Sequence, residues 1–251
     1  DAEVARRALD RWIGSRSIFA DSALRRARVE DMRGIYVPAY LYSAVAHTSY
    51  SAAIGENYTE TETYTETNSE GKSETKTRTV TRTEYRPLSG YHVGYVTDVI
   101  VSASQGLSND ELGRVEPFDL KQMRRFDNAL VSGWIAEEFS WTGADCQRTC
   151  RTEAVDQIGN KLRRFMPGDS YSDLTWTTNV AWESIDPVLV PVWVLALHYR
   201  ETKQPVRVVI NGQTGKVSGK VPLSAWKVTL GVILAALVIA AIAYLIYTRS
   251  K

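Results

Sequence analysis

The chain is poor in the residues that most often carry chemistry or covalent staples. It has two cysteines, Cys146 and Cys150, and three histidines in 251 residues. Two thiols in a C-x3-C spacing exclude the disulfide framework of a small secreted domain, and a four-ligand zinc site would need two further ligands. The spacing reads as two buried thiols one helical turn apart, with a local disulfide as the alternative. His47, His92 and His198 are far from both cysteines in sequence. Charge of one sign is also lacking: a formal net charge of +1 gives no electrostatic case for nucleic acid. Eight arginines fall within the first 33 residues, but six acidic residues accompany them, so a solvated face is expected there. No methionine opens the chain, and the first residues, DAEVARRALDRW, form no apolar leader. Asp1 therefore reads as the start of a processed product or a fragment.

No apolar run of membrane-crossing length occurs before residue 228. From there the sequence is VTLGVILAALVIAAIAYLI, without a charge. Such a run at about 1.5 Å per residue spans about 28 Å, close to the hydrocarbon thickness. Trp226 and Lys227 precede it, and Tyr244 and Tyr247 stand at its far end, where amphipathic rings settle among headgroups. A transmembrane helix over 226–247 is expected, with a tail at 248–251 and the lipid bilayer as partner. Lys216, Lys220 and Lys227 before the span outweigh Arg249 and Lys251 after it, which places the body in the cytoplasm. Gly231 and Ala235 have the spacing of a close helix-packing face.

The body divides into a helical segment over 1–33 and a membrane-proximal α+β domain over 34–225. Val4, Ala5, Ala8, Leu9 and Trp12 make one helical stripe. Asp21 or Ser22 caps a second short helix running from Leu24 to Met32. The most distinctive stretch is 56–86. Threonine or serine takes nearly every odd position, while Glu60, Glu62 and Glu66, then Lys76, Arg78 and Arg82, take even ones. Period two is the strand period. A three-residue loop at Glu70, Gly71 and Lys72 makes a long polar hairpin in which Glu66 faces Lys76 and Glu60 faces Arg82. A two-residue loop would set each glutamate against a threonine, and a disordered Thr/Glu-rich loop is the alternative to any hairpin. The hairpin has almost nothing to bury, so it is the candidate interaction element. Asn57-Tyr58-Thr59 also matches a glycosylation sequon.

Further along, 91–104 reads as strand. Residues 117–138 read as a helix with Leu120, Met123, Phe126, Leu130 and Ile135 inward. Residues 152–165 read as another, with Val155, Ile158, Leu162 and Phe165 inward. Extended chain follows over 174–182 and 188–199, and a hairpin over 205–222 turns at Asn211-Gly212. Ile35-Tyr36-Val37-Pro38 resembles Val188-Leu189-Val190-Pro191, which reads either as an internal duplication or as two edge strands of like chemistry. The fold class expected is α+β: an antiparallel strand-rich domain, the long polar hairpin, two or three packed helices and one C-terminal transmembrane helix.

No catalytic, cofactor or metal site is legible. Residues 211–216, NGQTGK, invite a phosphate-loop reading, but Ile210 stands where the first glycine belongs and Val217 where the magnesium-binding hydroxyl belongs. Glu137-Glu138 and Asp169-Ser170 read as surface and loop. The function expected is a membrane-anchored structural or interaction protein, with a protein partner or a second copy as partner and no nucleic acid. An enzyme with a dispersed site and a membrane-tethered nucleic-acid binder are the alternatives.

The motifs GIYVPAYLYSAVAHTSY (34–50), RPLSGYHVGYVTDVIVSAS (86–104), PFDL with LVSGWIAEEFSW (117–141), VLVPVWVLALHY (188–199) and INGQTGKVSGKVP (210–222) together resemble a bacterial family of zinc-ribbon-containing membrane proteins of unknown function. Its members often carry a primosomal-protein N' or superfamily II helicase name. The resemblance implies a zinc ribbon, with its zinc, ahead of Asp1, a cytoplasmic body and an assembly role. The residues here offer no intact nucleotide loop and no room for two motor domains, so helicase or NTPase activity is disfavoured.

Overall fold

The computed structural model describes residues 1–15, 19–67 and 73–249. Helix α1 (Ala2–Gly14) is followed by a 3-10 turn (Ser22–Arg26). Two long strands come next, β1 (Arg28–Thr67) and β2 (Ser73–Ser102), then α2 (Asn109–Val115), the short β3 (Ile135–Ala136) and α3 (Gly143–Phe165). The chain ends with β4 (Ser170–His198), β5 (Val206–Asn211), β6 (Val217–Gly219) and α4 (Ala225–Arg249). Strands are ordered β2-β1-β4-β5-β6, and β3 lies parallel to β1. The fold is α+β with an antiparallel sheet, as the alternation of strand-like and helical segments leads one to expect.

The chain forms two compact units. One comprises residues 1–40, 102–142 and 187–251; the other comprises 41–101 and 143–186. In the first, the α1 stripe of Ala5, Ala8, Leu9 and Trp12 is buried with Leu24, Trp193, Leu195, Leu197, Val208 and Ile210. Val4, expected on the same stripe, is exposed. The antiparallel β4–β5 pairing sets Trp193 opposite Ile210 and Leu195 opposite Val208. Alternate residues thus reach this core from both strands. Trp134 meets Trp193 edge-on at 4.6 Å between ring centroids, a favoured aromatic geometry. The like segments 35–40 and 188–193 both fall in this unit, on β1 and β4, which are neighbours in the sheet order.

In the second unit α3 presents Cys146, Cys150, Ala154, Ile158, Gly159 and Leu162 as its buried stripe. At Gly159 a β-carbon would stand 2.4 Å from the Trp176 ring of β4, so only glycine lets helix and strand approach this closely. Arg163 lies over the same ring at 5.0 Å, and Lys161 Nζ donates to the Tyr95 carbonyl at 3.3 Å.

Three expectations need correction. Residues 117–138 do not form a helix: a short 3-10 turn (Leu120–Gln122) is followed by irregular chain and β3. Met123, Phe126, Leu130 and Ile135, read as core, are exposed. The apolar spacing there was helical by accident, and Gly133 takes a positive φ of 89° that ends any regular element. Second, the helix expected from Leu24 to Met32 is only the 3-10 turn. Asp21 caps it, accepting from the Ala23 amide, and the chain is already extended at Arg28. Third, α3 begins at Gly143, earlier than expected, and Phe165 at its end is exposed.

Candidate functional site

The polar stretch is built as a pair of strand arms, β1 through Thr67 and β2 from Ser73. The loop expected at Glu70, Gly71 and Lys72 lies outside the described residues. Of 56–67 and 73–87, all are exposed except Glu62 and Val80, which are half-buried. The side chains meet as a three-residue loop requires. Lys76 Nζ donates to Glu66 Oε2 at 2.7 Å, and Arg82 Nε stands 2.8 Å from Glu60 Oε2. Arg78, across from Tyr64 in the same register, lies over that ring at 5.6 Å. Glu62 sits diagonally between two guanidinium groups, 2.8 Å from Arg78 Nη2 and 2.5 Å from Arg82 Nη2. Hydrogen bonds from Arg78, then from Arg82, hold the Glu62 carboxyl below the usual carboxylate range. Threonines fill the other face of a ladder with no apolar side. At its base Thr83 Oγ1 donates to Asn57 Oδ1 at 2.7 Å, and Asp169 Oδ2 accepts from the Asn57 amide at 2.8 Å. Asp169, read as a bare loop residue, is thus a clasp between β1 and the segment before β4.

The same unit holds a partly buried polar network that sequence reading missed. Tyr42 is fully buried, and its hydroxyl donates to Glu183 Oε2 at 2.7 Å. Arg151, one residue past Cys150 on α3, grips the same carboxylate through Nε at 2.6 Å and Nη2 at 2.7 Å. The bidentate grip holds the Glu183 carboxyl below its ordinary range, and burial together with the Glu183 charge raises the Tyr42 hydroxyl. Cys146 and Cys150 are buried thiols one turn apart, not joined in a disulfide, as their spacing implied. Burial pushes Cys150 up to about 12, so it is a packing residue with little nucleophilic character. Next to Glu183, Trp182 is 86% exposed and held at φ +53°. A bulky residue in the left-handed region is an outlier that sequence cannot announce.

The histidines do not converge with a carboxylate pair. His47 Nδ1 lies 2.7 Å from the Tyr91 hydroxyl, His198 Nε2 lies 3.1 Å from Glu30, and His92 is half-buried on β2. Among the described residues, no group of three His, Cys, Asp or Glu side chains is placed to hold a metal ion. The NGQTGK segment is a hairpin turn. Asn211 Oδ1 accepts from the amides of Gln213 and Thr214, and its Nδ2 donates to the carbonyls of Val115 and Pro117. The amides a phosphate would need there are already used. Glu137, read as helix surface, accepts from Ser104 Oγ at 2.6 Å and pins the turn after β2.

α4 is the membrane anchor. Residues 225–248 make one uninterrupted helix of spanning length and composition, and none of its apolar window is buried. Trp226 at one end and Tyr244 and Tyr247 at the other are exposed, two rings on the far side and one on the near side. Lys227 is half-buried and donates to the Ala20 carbonyl at 3.1 Å. The chain is thus a membrane-anchored protein with a polar α+β body.

No protein-family model matches the chain, and no solved structure matches it. It is similar to the uncharacterized protein YdjG of Bacillus subtilis (strain 168), at 25% identity over 130 residues, which is 51% of this chain. The matched part is 37% of that protein, so the chain corresponds to well under two-thirds of its relative's length.

Proposed function

We propose that the protein is a non-catalytic component of a membrane-associated assembly, and that the polar hairpin of residues 56–86 is its recognition element. The observation that carries this reading is the self-contained charge ladder. Glu60, Glu62 and Glu66 are each met by Lys76, Arg78 or Arg82, so the arms hold their register without an apolar face. Such an element contributes little to the stability of its own unit while keeping a fixed pattern of charge in water. β2 stands at the end of the strand order, so one of its edges is open to a partner strand. The exposed, strained Trp182 supports the same reading, because exposed tryptophans are characteristic anchors of protein interfaces.

The partner is a protein or a second copy of the chain. The body faces the cytoplasm in this reading, supported by the lysines before α4 and by two thiols not joined in a disulfide. A zinc ribbon ahead of Asp1 belongs to the same proposal. Among the described residues Cys146 and Cys150, buried on α3, belong to no group of three side chains placed to hold a metal ion, so in this proposal the zinc is held by residues ahead of Asp1.

Cross-linking and affinity capture of the full chain from detergent-solubilised membranes tests the reading. Capture should return a stoichiometric protein or a second copy, and a variant with residues 60–82 replaced by a tight turn should lose it while remaining in the membrane. A monodisperse monomer without a partner in the intact chain would overturn the proposal. Alkaline phosphatase fused after Lys251 should be active outside the cell if the body is cytoplasmic, and inactive if it is not.

A further inference from the structure

The chain just before α4 is fastened along its length. The Asp21 amide donates to the Pro222 carbonyl at 2.9 Å, and the Ser224 amide donates to the Phe19 carbonyl at 2.9 Å. Ala20 and Leu223 pair as an antiparallel bridge between these two bonds. Lys227 Nζ adds a bond to the Ala20 carbonyl. The Phe19 ring lies against Gly231, where a β-carbon would stand 2.7 Å from it. Gly231 is five residues beyond Trp226, about 7.5 Å along the helix axis. Phe19 therefore lies at a depth where α4 has already entered the bilayer, and residues 19–24 lie at the level of the headgroups.

That placement gathers cations that are remote in sequence. Arg25 and Arg26 occupy the last turn of the 3-10 segment that Asp21 caps. Arg200 Nη2 pairs with Asp21 at 2.8 Å, which brings the loop carrying Lys203 to the same end of the unit. Lys220 follows β6 on the stretch that leads into α4. Arg25, Arg26, Lys203 and Lys220 are all exposed, and no carboxylate pairs with any of them among the described residues. Acidic groups on these segments are Asp21, held by Arg200, the exposed Glu201, and Glu30, which pairs with His198. Exposed apolar groups accompany the cations: Leu223 is 63% exposed and Trp226 66%. Basic side chains around aromatic and aliphatic ones at a bilayer surface form the pattern that binds anionic lipid.

We propose that this end of the unit is a second membrane contact, in which Arg25, Arg26, Lys203 and Lys220 bind the phosphates of anionic phospholipid headgroups. Phe19, Leu223 and Trp226 enter the interface beside them. The occupant is a lipid surface because the segment carrying Arg25 and Arg26 is bonded, through residues 19–21, to the stretch that leads into the spanning helix, where the bilayer itself stands. The contact draws this unit against the membrane and favours the leaflet with anionic lipid, which agrees in sign with a cytoplasmic body.

Hydrogen exchange of the full chain in nanodiscs tests this. One set would contain phosphatidylcholine alone and the other phosphatidylcholine with phosphatidylglycerol at about 3:1. Amides of residues 19–28 and 200–205 should exchange at least about threefold more slowly in the anionic discs, and high salt should remove the difference. The variant with Arg25, Arg26, Lys203 and Lys220 all changed to glutamine should show no lipid dependence, while β5 amides keep their protection and report an intact fold. Equal exchange of the unaltered chain in both lipids at low salt would overturn the proposal. So would a lipid dependence that survives in the glutamine variant. Neither outcome depends on the partner of the polar hairpin.

Discussion

Two hairpins in this molecule are made by opposite means. The β5–β6 hairpin is apolar and buried: Val208, Val209 and Ile210 are 0–2% exposed, and Val209 faces Ser218 in a short ladder. Its turn is locked by Asn211, itself buried, through four hydrogen bonds. The hairpin of residues 56–86 is longer, almost wholly exposed, and registered by ion pairs. The first is stable because removing apolar surface from water outweighs the ordering of a few residues. The second has no such term. Exposed ion pairs contribute little each and are screened by salt, so their role is to choose a register. A polar ladder of this length is costly to keep ordered unless its surface is used, and this asymmetry is the physical ground for assigning recognition to it.

The contrast can be broken most forcefully at Ile210. Ile210→Ala should destabilise the full chain by about 2–5 kcal/mol, read as a lowered denaturation midpoint in detergent. Replacing residues 60–82 by a tight turn should leave that midpoint nearly unchanged. If the hairpin deletion unfolds the protein as Ile210→Ala does, the ladder is structural and the comparison fails.

The next effect belongs to the network behind the polar arms. Glu183→Ala leaves the buried Tyr42 hydroxyl without its acceptor and should cost about 1–3 kcal/mol. The same pair gives a pH dependence. The Arg151 hydrogen bonds hold the Glu183 carboxyl below its ordinary value of 4.5. The stability this supplies is complete above that value and is lost as pH falls through the lower folded-state value. Acid titration of the unfolding midpoint should therefore fall more steeply in the unaltered protein than in Glu183→Gln.

A smaller change of opposite sign is expected at Trp182. Trp182→Gly removes the left-handed strain and should raise stability by about 1 kcal/mol, with weaker capture of the partner. A loss of stability would mean that the indole packs on the body. The smallest effect is at Glu62, where Glu62→Gln should leave the unfolding midpoint unmoved. It should speed amide exchange in both arms at low salt, and the difference should vanish at high salt.

Local signals were readable in the sequence where one force acted alone. Charge alternation gave the ladder its partners, uniform apolarity gave α4, and the Asn-Gly turn gave the β5–β6 hairpin. The Ser108 capping box, with Glu111 three residues on and Leu112 and Val115 inward, was also written plainly and passed unread. Residues 117–138 misled because an apolar spacing near helical period carries no information about whether a surface exists to cover it. The Tyr42–Glu183–Arg151 network, the Asp169 clasp and the gathering of basic residues around α4 join positions up to 207 apart in the chain. No local pattern encodes such meetings. They follow from the strand order, which the sequence specifies only through the sum of its packing.

The bonds between residues 19–24 and the stretch before α4 have a mechanical consequence. A flexible tether would let a spanning helix lean independently of the body it carries. Here the two main-chain bonds of the Ala20–Leu223 bridge and the Phe19–Gly231 contact join the helix to the sheet without slack. A spanning helix answers a thinner bilayer by tilting. In this protein that tilt would be passed on to the strands as torque, so membrane thickness and the attitude of the attached unit are geared together.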